Sequence, residues 1–585
     1  MDYVTERYGD KIPAYRAAYP DWWTDGFGSA ARETAASRKT HSDMTAVEGL
    51  LSMAVLKAKC LPQATHQQIE HIHESLLFYD EHTFGASESV SDPLCENSQV
   101  QWGEKSAYAW EAVKRTQMLY ETSVGLLQGD LRRGKNPTLT IFNTLNWKRS
   151  EMLTVYIDFE VIPRNQFFEI TDFQGHSLKV QPIRYRREGC YYAIFAEDIP
   201  PMGYKTFEIV FKQPSTDTGT ITINNASIEN HFYKLQLNPD KGTIQSLYDK
   251  ELNCELVDSS SPWELGAFIY EKLGNRDQLA QYRLDDYNRT GLSECRIIDS
   301  SNGPIYQRIL LQGKSPGTDE AFGVNLEIKL YHDTKRIELE YAIKRLPETD
   351  PSGIYVAFPF QLPEGKLAFD VQGGTVISGK NQLEGTSTDW NTVQNFVSVQ
   401  NNRAQIIIGS SLIPLYQLGD INLGKFQYQK QYDRPHVYSW VMNNYWNTNF
   451  KASQEGEFRW SYHLTSSVDP SNNLATKFGW SSRIPLYARV MPTGTENHKP
   501  TEYSAFHFEK NNFLMTSCTP SKEEDYILLN IREIDGKRTN LRILNEDGQT
   551  VPFTIVNAIE EKLENETSEH IFEGYQNKFI KIKRF

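Results

Sequence analysis

Apolar and polar positions change their period once along this chain, and the change divides it in two. From Ser29 onward apolar residues recur at helical spacing, with Val47, Leu50, Leu51 and Ala54 read as one face. Gly and Pro are nearly absent from Ser29 to Cys60, and Pro62 stops the run. Ile69, Ile72 and Leu76 predict a second helix, with Thr65 as its N-cap. A third helix is predicted from Trp102 to Arg133, along the stripe Ala109, Ala112, Val113, Thr116, Leu119, Tyr120, Ser123 and Leu127, with Gly134 and Pro137 ending it. Three helices joined by short connections read as an antiparallel bundle. Residues 1–27 read as irregular, with a loop rich in Pro and aromatics from Pro13 to Trp23.

At Thr138 the period falls to two. Leu153, Val155, Ile157, Phe159 and Val161 alternate with Thr154, Tyr156, Asp158 and Glu160, as in a half-buried strand. A first β unit runs to about residue 213, where Gln213 to Gly219 is polar and marks a boundary. Beyond it Leu326, Ile328 and Leu330 face Ile337, Leu339, Tyr341 and Ile343 across the turn Asp333-Thr334-Lys335, predicting a hairpin. Ile354, Val356, Phe358 and Phe360 predict another strand, and Ile527, Leu529 and Ile531 one more. Short strands with frequent turns predict a large antiparallel sandwich over 220–480 and a further β domain over 481–585. The chain therefore reads as multidomain α plus all-β, a three-helix bundle followed by β-sandwich domains. A length of 585 residues agrees with several cores.

Composition narrows the partners. The net charge of −14 argues against nucleic acid, whose phosphates need a basic face, and leaves neutral carbohydrate open. No apolar run reaches about 18 residues, so no membrane span is expected. The six cysteines are scattered without a CxxC pair, so neither a disulfide framework nor a zinc knuckle is suggested. Sequons stand at Asn225, Asn288 and Asn565. The first residues carry no basic and apolar leader pattern, and no compartment is assigned.

Chemistry concentrates in two short segments, Asp21 to Gly28 and Phe78 to Ala86, read as the rim and floor of a sugar-binding site. Trp22 and Trp23 sit among Asp, Thr and Gly, which suits a platform for a sugar ring flanked by carboxylates; a core aromatic pair fits the same residues. His82 follows the second helix in Asp80-Glu81-His82-Thr83. A loop at a helix end can present an imidazole to a metal while adjacent carboxylates, Asp80 and Glu81, fix its tautomer; the same two acids are equally readable as solvated. His66 and His73 share a helix face, but two imidazoles are too sparse for a cation site, and they read as surface or capping residues. No GxSxG elbow, HExxH, P-loop or dinucleotide fingerprint stands in strand–helix context.

Four stretches carry a resemblance. Asp21-Trp22-Trp23-Thr24-Asp25-Gly26 is similar to a Tyr-Trp-Thr/Ser-Gly loop, and Ser29 to Arg133 to a central three-helix domain. Phe142-Asn143-Thr144-Leu145-Asn146-Trp147-Lys148-Arg149 resembles an F-N-P-L-x-W-x-R segment. Most specifically, Glu229-Asn230-His231-Phe232-Tyr233 followed by Gly242-Thr243-Ile244-Gln245-Ser246-Leu247-Tyr248-Asp249-Lys250 resembles an E-N-x-x-Y … G-x-I-x-S-L-x-D-K hairpin. In this order they resemble the middle and C-terminal parts of glycoside hydrolase family 38, the α-mannosidases.

The resemblance implies that the largest β domain is a galactose-mutarotase-like super-sandwich. It divides the chain into 1–27, the end of a catalytic domain; 28–135, the bundle; 138–213, a small β domain; 220–480, the super-sandwich; and 481–585, a C-terminal β domain. It implies a retaining glycosidase for α-mannosides that uses one divalent cation, zinc as a rule. His82 is the matching metal ligand, Trp23 the stacking residue and Asp25 a hydroxyl contact. Asp-Glu-His-Thr departs from the family's His-His-Asp. The nucleophile, the acid/base and the other metal ligands belong to an N-terminal α/β domain. No catalytic residue is therefore assigned in this sequence, and the chain alone is expected to be inactive. A carbohydrate-binding or scaffolding protein without catalysis is the rival expectation. Exposure of Trp22, Trp23 and Phe27 would favour association of copies.

Overall fold

The computed structural model describes residues 2–213 and 226–585. The polar boundary from Pro214 on and the sequon Asn225 lie outside the described residues. A short exposed helix, α1 (Asp2–Tyr8), occupies a stretch expected to be irregular; Arg7 reaches back one turn to the Tyr3 hydroxyl. The bundle helices are α2 (Ala31–Leu56), α3 (Thr65–Asp80) and α4 (Glu96–Leu127). Thr65 is not the cap of α3: Ala64 holds that position, and the Thr65 hydroxyl is buried without a partner. The third helix starts earlier than expected and ends at Leu127, followed by a 3-10 turn (Gln128–Asp130).

The apolar positions of α2 serve two cores. Met44, Val47 and Leu51 meet Ile69, Ile72 and Leu76 of α3 and Ala112 and Leu119 of α4. Leu50, Met53 and Ala54 face the C-terminal β domain, among Phe513, Ile527 and Leu529. A helix covered on two sides loses the clean apolar and polar division of a surface helix. Even Ser37, Ser42 and Ser52 of α2 are buried. Among the described residues no helix is long and apolar enough to cross a membrane.

The first β unit is a sandwich that borrows strands from far along the chain. Thr138–Asn143 is buried at every position and pairs with Gly203–Lys212 on one edge and Tyr487–Met491 on the other. Glu502–Ser504 extends the same sheet. A three-stranded sheet of Arg149–Asp158, Lys179–Tyr185 and Gly189–Ile199 closes its other face over Leu139, Ile141, Val155 and Ile194. Thus the start of the segment read as 481–585 pairs with strands of 138–213. A strand buried on both faces needs partners on both edges, and only a distant segment supplies the second.

The largest unit stacks a nine-stranded antiparallel sheet against six- and four-stranded sheets around one continuous core. The expected hairpin is Val324–Tyr331 with Ile337–Arg345, in the register Ile328 to Leu339. In the hairpin Tyr233–Asn238 with Thr243–Asp249, Gly242 takes φ +65° in the turn. Its Asp249 is fully buried, accepts from the backbone N–H groups of Glu251 and Leu252, and pairs with Lys335 at 2.8 Å. A helix (Asn472–Arg483) leads back to the small sandwich, and the C-terminal domain is built on Phe513–Pro520, Tyr526–Glu533 and Asn577–Lys583.

Asn146 joins the last two units. Its amide donates to the Phe513 carbonyl at 2.8 Å and accepts from the Met515 N–H at 3.0 Å, in a buried setting. Asn146→Ala leaves both backbone groups unpaired and is expected to cost about 1–3 kcal/mol. Denaturant unfolding followed by circular dichroism should show a lower midpoint; an unchanged midpoint would contradict this role.

Candidate functional site

Residues 24–30 form a 3-10 segment with Trp23 at its start. Three side chains from the exit of strand Val437–Asn443 hold it. Asn443 donates to the Asp25 carbonyl at 2.9 Å, the Trp446 indole N–H donates to Asp25 Oδ1 at 2.9 Å, and Gln454 donates to the Gly28 carbonyl at 2.8 Å. Gly26 and Gly28 permit the approach, since a Cβ at either would run into the Phe450 ring or the Asn443 amide.

The second segment is fixed from α4. Lys105, buried, donates to the carbonyls of Phe78 at 2.8 Å and Glu81 at 2.7 Å, satisfying groups that α3 leaves open at its C-terminus. Phe84 then packs between Phe27 at 4.9 Å and Phe450 at 5.1 Å, centroid to centroid, bringing both segments to one place.

There the side chains form a row. His82 lies 5.5 Å from the Trp23 ring, and Trp23 stands edge-on to Trp446 at 5.9 Å. Trp23 is 52% exposed, whereas Trp22 is half-buried against Trp390 and Phe426. The core reading of the Trp pair therefore holds for Trp22, which packs, and not for Trp23, which faces solvent. Phe27, read as part of the same exposed patch, is half-buried as well.

His82 Nδ1 meets Glu81 Oε1 at 2.8 Å, and Glu81 also accepts from the Thr83 N–H and hydroxyl. Burial pushes the Glu81 carboxyl up, but the Thr83 hydrogen bonds and the Lys105 charge outweigh it and hold the group below the usual range. Asp80 turns the other way. It accepts from Ser37 at 2.9 Å and meets His41 at 2.7 Å, beside a separate cavity of about 310 Å³ bordered by Arg38 and Arg483. The backbone explains the split: Asp80 ends the helix, while Glu81 has already gone extended at φ −64°, ψ 146°. His73 pairs with Glu48 of α2 at 2.6 Å.

Asp25 is 7% exposed, held beneath the surface by the Trp446 indole. Burial raises its carboxyl to about pH 7 against the Trp446 hydrogen bond. Trp446, Asn443 and Phe450 were not found from the sequence. Their signal was the density of aromatics and amides from Tyr438 to Phe450, in a stretch read only as sandwich.

As a metal ligand His82 fits alone: its Nε2 is left over once Glu81 holds Nδ1. Among the described residues no group of three or more His, Cys, Asp or Glu side chains could hold a cation. These residues do not make a complete site, and no reaction step through a metal follows from them. Beside the row lies a cavity of about 580 Å³ that Trp22, Trp23, Asp25 and Trp446 help to line.

Two family models match. Residues 21–127 match the α-mannosidase middle domain, and residues 228–426 the C-terminal domain of glycosyl hydrolases family 38. Together they take in just over half of the chain. An α-mannosidase from Enterococcus faecalis V583 is similar in fold, with a TM-score of 0.75 at 12% identity over 100% of this chain and 72% of that one. A glycosyl hydrolase family 38 protein from Enterococcus faecalis gives a TM-score of 0.75 at 13% identity, over 100% of this chain and 73% of that one. No curated protein matches.

The Asp25 carboxyl carries a pH prediction. An acid raised from about 4 to about 7 on folding keeps in the native state a proton that the unfolded chain releases. That contribution is full below about pH 4 and is lost as the pH rises through 7, by roughly 4 kcal/mol in all. Asn at this position still accepts from Trp446 and does not titrate. The melting temperature of wild type minus that of Asp25→Asn should fall between pH 5 and pH 8; parallel curves would contradict the raised carboxyl.

Proposed function

Because the chain belongs to glycoside hydrolase family 38 through its middle and C-terminal domains, we propose that it supplies the sugar-stacking half of a glycosidase site for α-mannosides. The observation that carries this reading is the exposed Trp23 held 5.5 Å from His82 by two segments distant in sequence. Trp23 offers an indole face to the apolar side of a pyranose ring. Trp446 and the buried Asp25 keep that indole in place, which makes Asp25 a positioning residue rather than the hydroxyl contact expected. Glu81 orients His82 through Nδ1, so that Nε2 can serve as one ligand of a divalent cation, zinc.

The nucleophile, the acid/base carboxylate and the remaining ligands are assigned to an α/β domain outside this sequence, in a retaining mechanism. One imidazole cannot hold a catalytic cation, which is the ground for proposing that this chain binds sugar without cleaving it. The same observation supports a purely sugar-binding protein. The two readings part on whether adding an N-terminal α/β domain of the family restores hydrolysis.

Trp23→Ala should weaken binding of methyl α-D-mannoside about 5- to 10-fold, the worth of one aromatic stack. Titration by saturation-transfer NMR reads this; absence of binding, or equal binding by the variant, contradicts the site. With zinc present the chain alone should not turn over an aryl α-mannoside. Robust turnover lost in His82→Ala would overturn the assignment of the missing groups to another domain.

A further inference from the structure

The cavity beside Trp23 has a wall that packing alone does not explain. Tyr282 and Phe426 meet there edge to face at 5.1 Å, on loops from different parts of the sandwich. Both hold left-handed backbone, with φ +56° and +47°. Bulky residues rarely adopt that conformation, and where it persists the surroundings impose it, often at ligand clamps. Here the constraint is visible. The Phe426 N–H is tied to Asp389 Oδ1 at 3.0 Å, and Gly424, at φ +84°, lies against Leu284 so closely that a Cβ would sit 2.9 Å from the Leu284 nitrogen. The two loops interlock and hold both rings at the cavity mouth. Tyr282 is 75% exposed, so it fills no core.

The rest of the lining is mixed in the way a sugar requires. Trp22 tilts over Phe426 at 5.5 Å, and Trp446 closes the side towards Trp23. Arg276 donates through Nη2 to the carbonyls of Thr349 and Asn444, while its Nε is buried without a partner. Asp25 and Arg276 are the acid and the base among the lining residues, and each is already held by the protein, Asp25 by the Trp446 indole and Arg276 by the two carbonyls. A volume of about 580 Å³ falls in the ordinary range for small-molecule sites. Trp23 and Asp25 belong to both the row and the cavity, which makes the two continuous.

We propose that this cavity is a second sugar-ring subsite, clamped by Tyr282 and Phe426, so that the site takes an α-linked oligosaccharide of at least two rings. The inference rests on the reading of Trp23 as the stacking residue for an α-mannoside.

The test compares methyl α-D-mannoside with α-linked mannobiose on the full chain, by calorimetry or saturation-transfer NMR. The disaccharide should bind about ten-fold more tightly or better, the worth of a second stacked ring. Tyr282→Gly removes the ring and the strain together. It should keep or raise the thermal midpoint while pulling that ratio to about three or less. A ring that merely packed would do the reverse, lowering the midpoint and leaving the ratio. Phe426→Leu keeps bulk at the second position and should narrow the ratio as well. Equal binding of both sugars by wild type overturns the subsite and leaves the Trp23 reading standing. A ratio untouched by both variants overturns this location. Binding of neither sugar overturns both readings.

Discussion

The structure depends on one clamp. Residues 24–30 are pressed against the exit of strand Val437–Asn443, with two glycines where side chains would collide. Asn443, Trp446 and Gln454 satisfy the polar groups of this segment, and Phe450 fills the space above Gly26. A backbone stretch buried this way is tolerable only when its N–H and C=O groups are paired, and here side chains from the sandwich do the pairing. The bundle and the largest sandwich are thereby set against each other before any ligand is considered. The row from His82 through Trp23 to Trp446 is a consequence of that contact.

The clamp also sets the chemistry. Holding the Trp446 indole on Asp25 buries a carboxylate, which raises its affinity for a proton, while Glu81 one step away is held ionised by Thr83 and Lys105. Two acids in neighbouring segments so differ in charge at neutral pH because one is buried against the Trp446 indole and the other is exposed. Asp25 supports an aromatic surface, and Glu81 steers an imidazole. Lys105 contributes without touching the row, by pairing the carbonyls at which α3 stops and the loop to His82 begins.

What the sequence disclosed follows from which interactions are local. Helix spacing placed α2 to α4, because Ile69, Ile72, Leu76, Ala109, Ala112 and Leu119 are separated by whole turns. The division of α2 between two cores escaped, since Val47 and Leu50 look alike until their partners are known. The pairing of Thr138–Asn143 with Tyr487–Met491 escaped for a related reason, as nothing local links strands so far apart. At the site, Trp23, Glu81 and His82 were legible from residue type and the loops that hold them. Asp80 was placed with them and turns instead to His41, because the helix ends between it and Glu81. Trp446 and Phe450, which complete the surface, carry no short-range mark beyond an aromatic-rich stretch.

Segments 21–30 and 78–86 meet at one face, proposed to bind sugar. Hydrogen–deuterium exchange of the full chain, with and without a saturating α-linked manno-oligosaccharide, tests it most directly. Peptides covering both segments, and the stretch 437–454 that holds them, should gain protection together. Protection confined to the outer surface of a sandwich domain, or absent from all three stretches while the sugar is bound, would contradict the account.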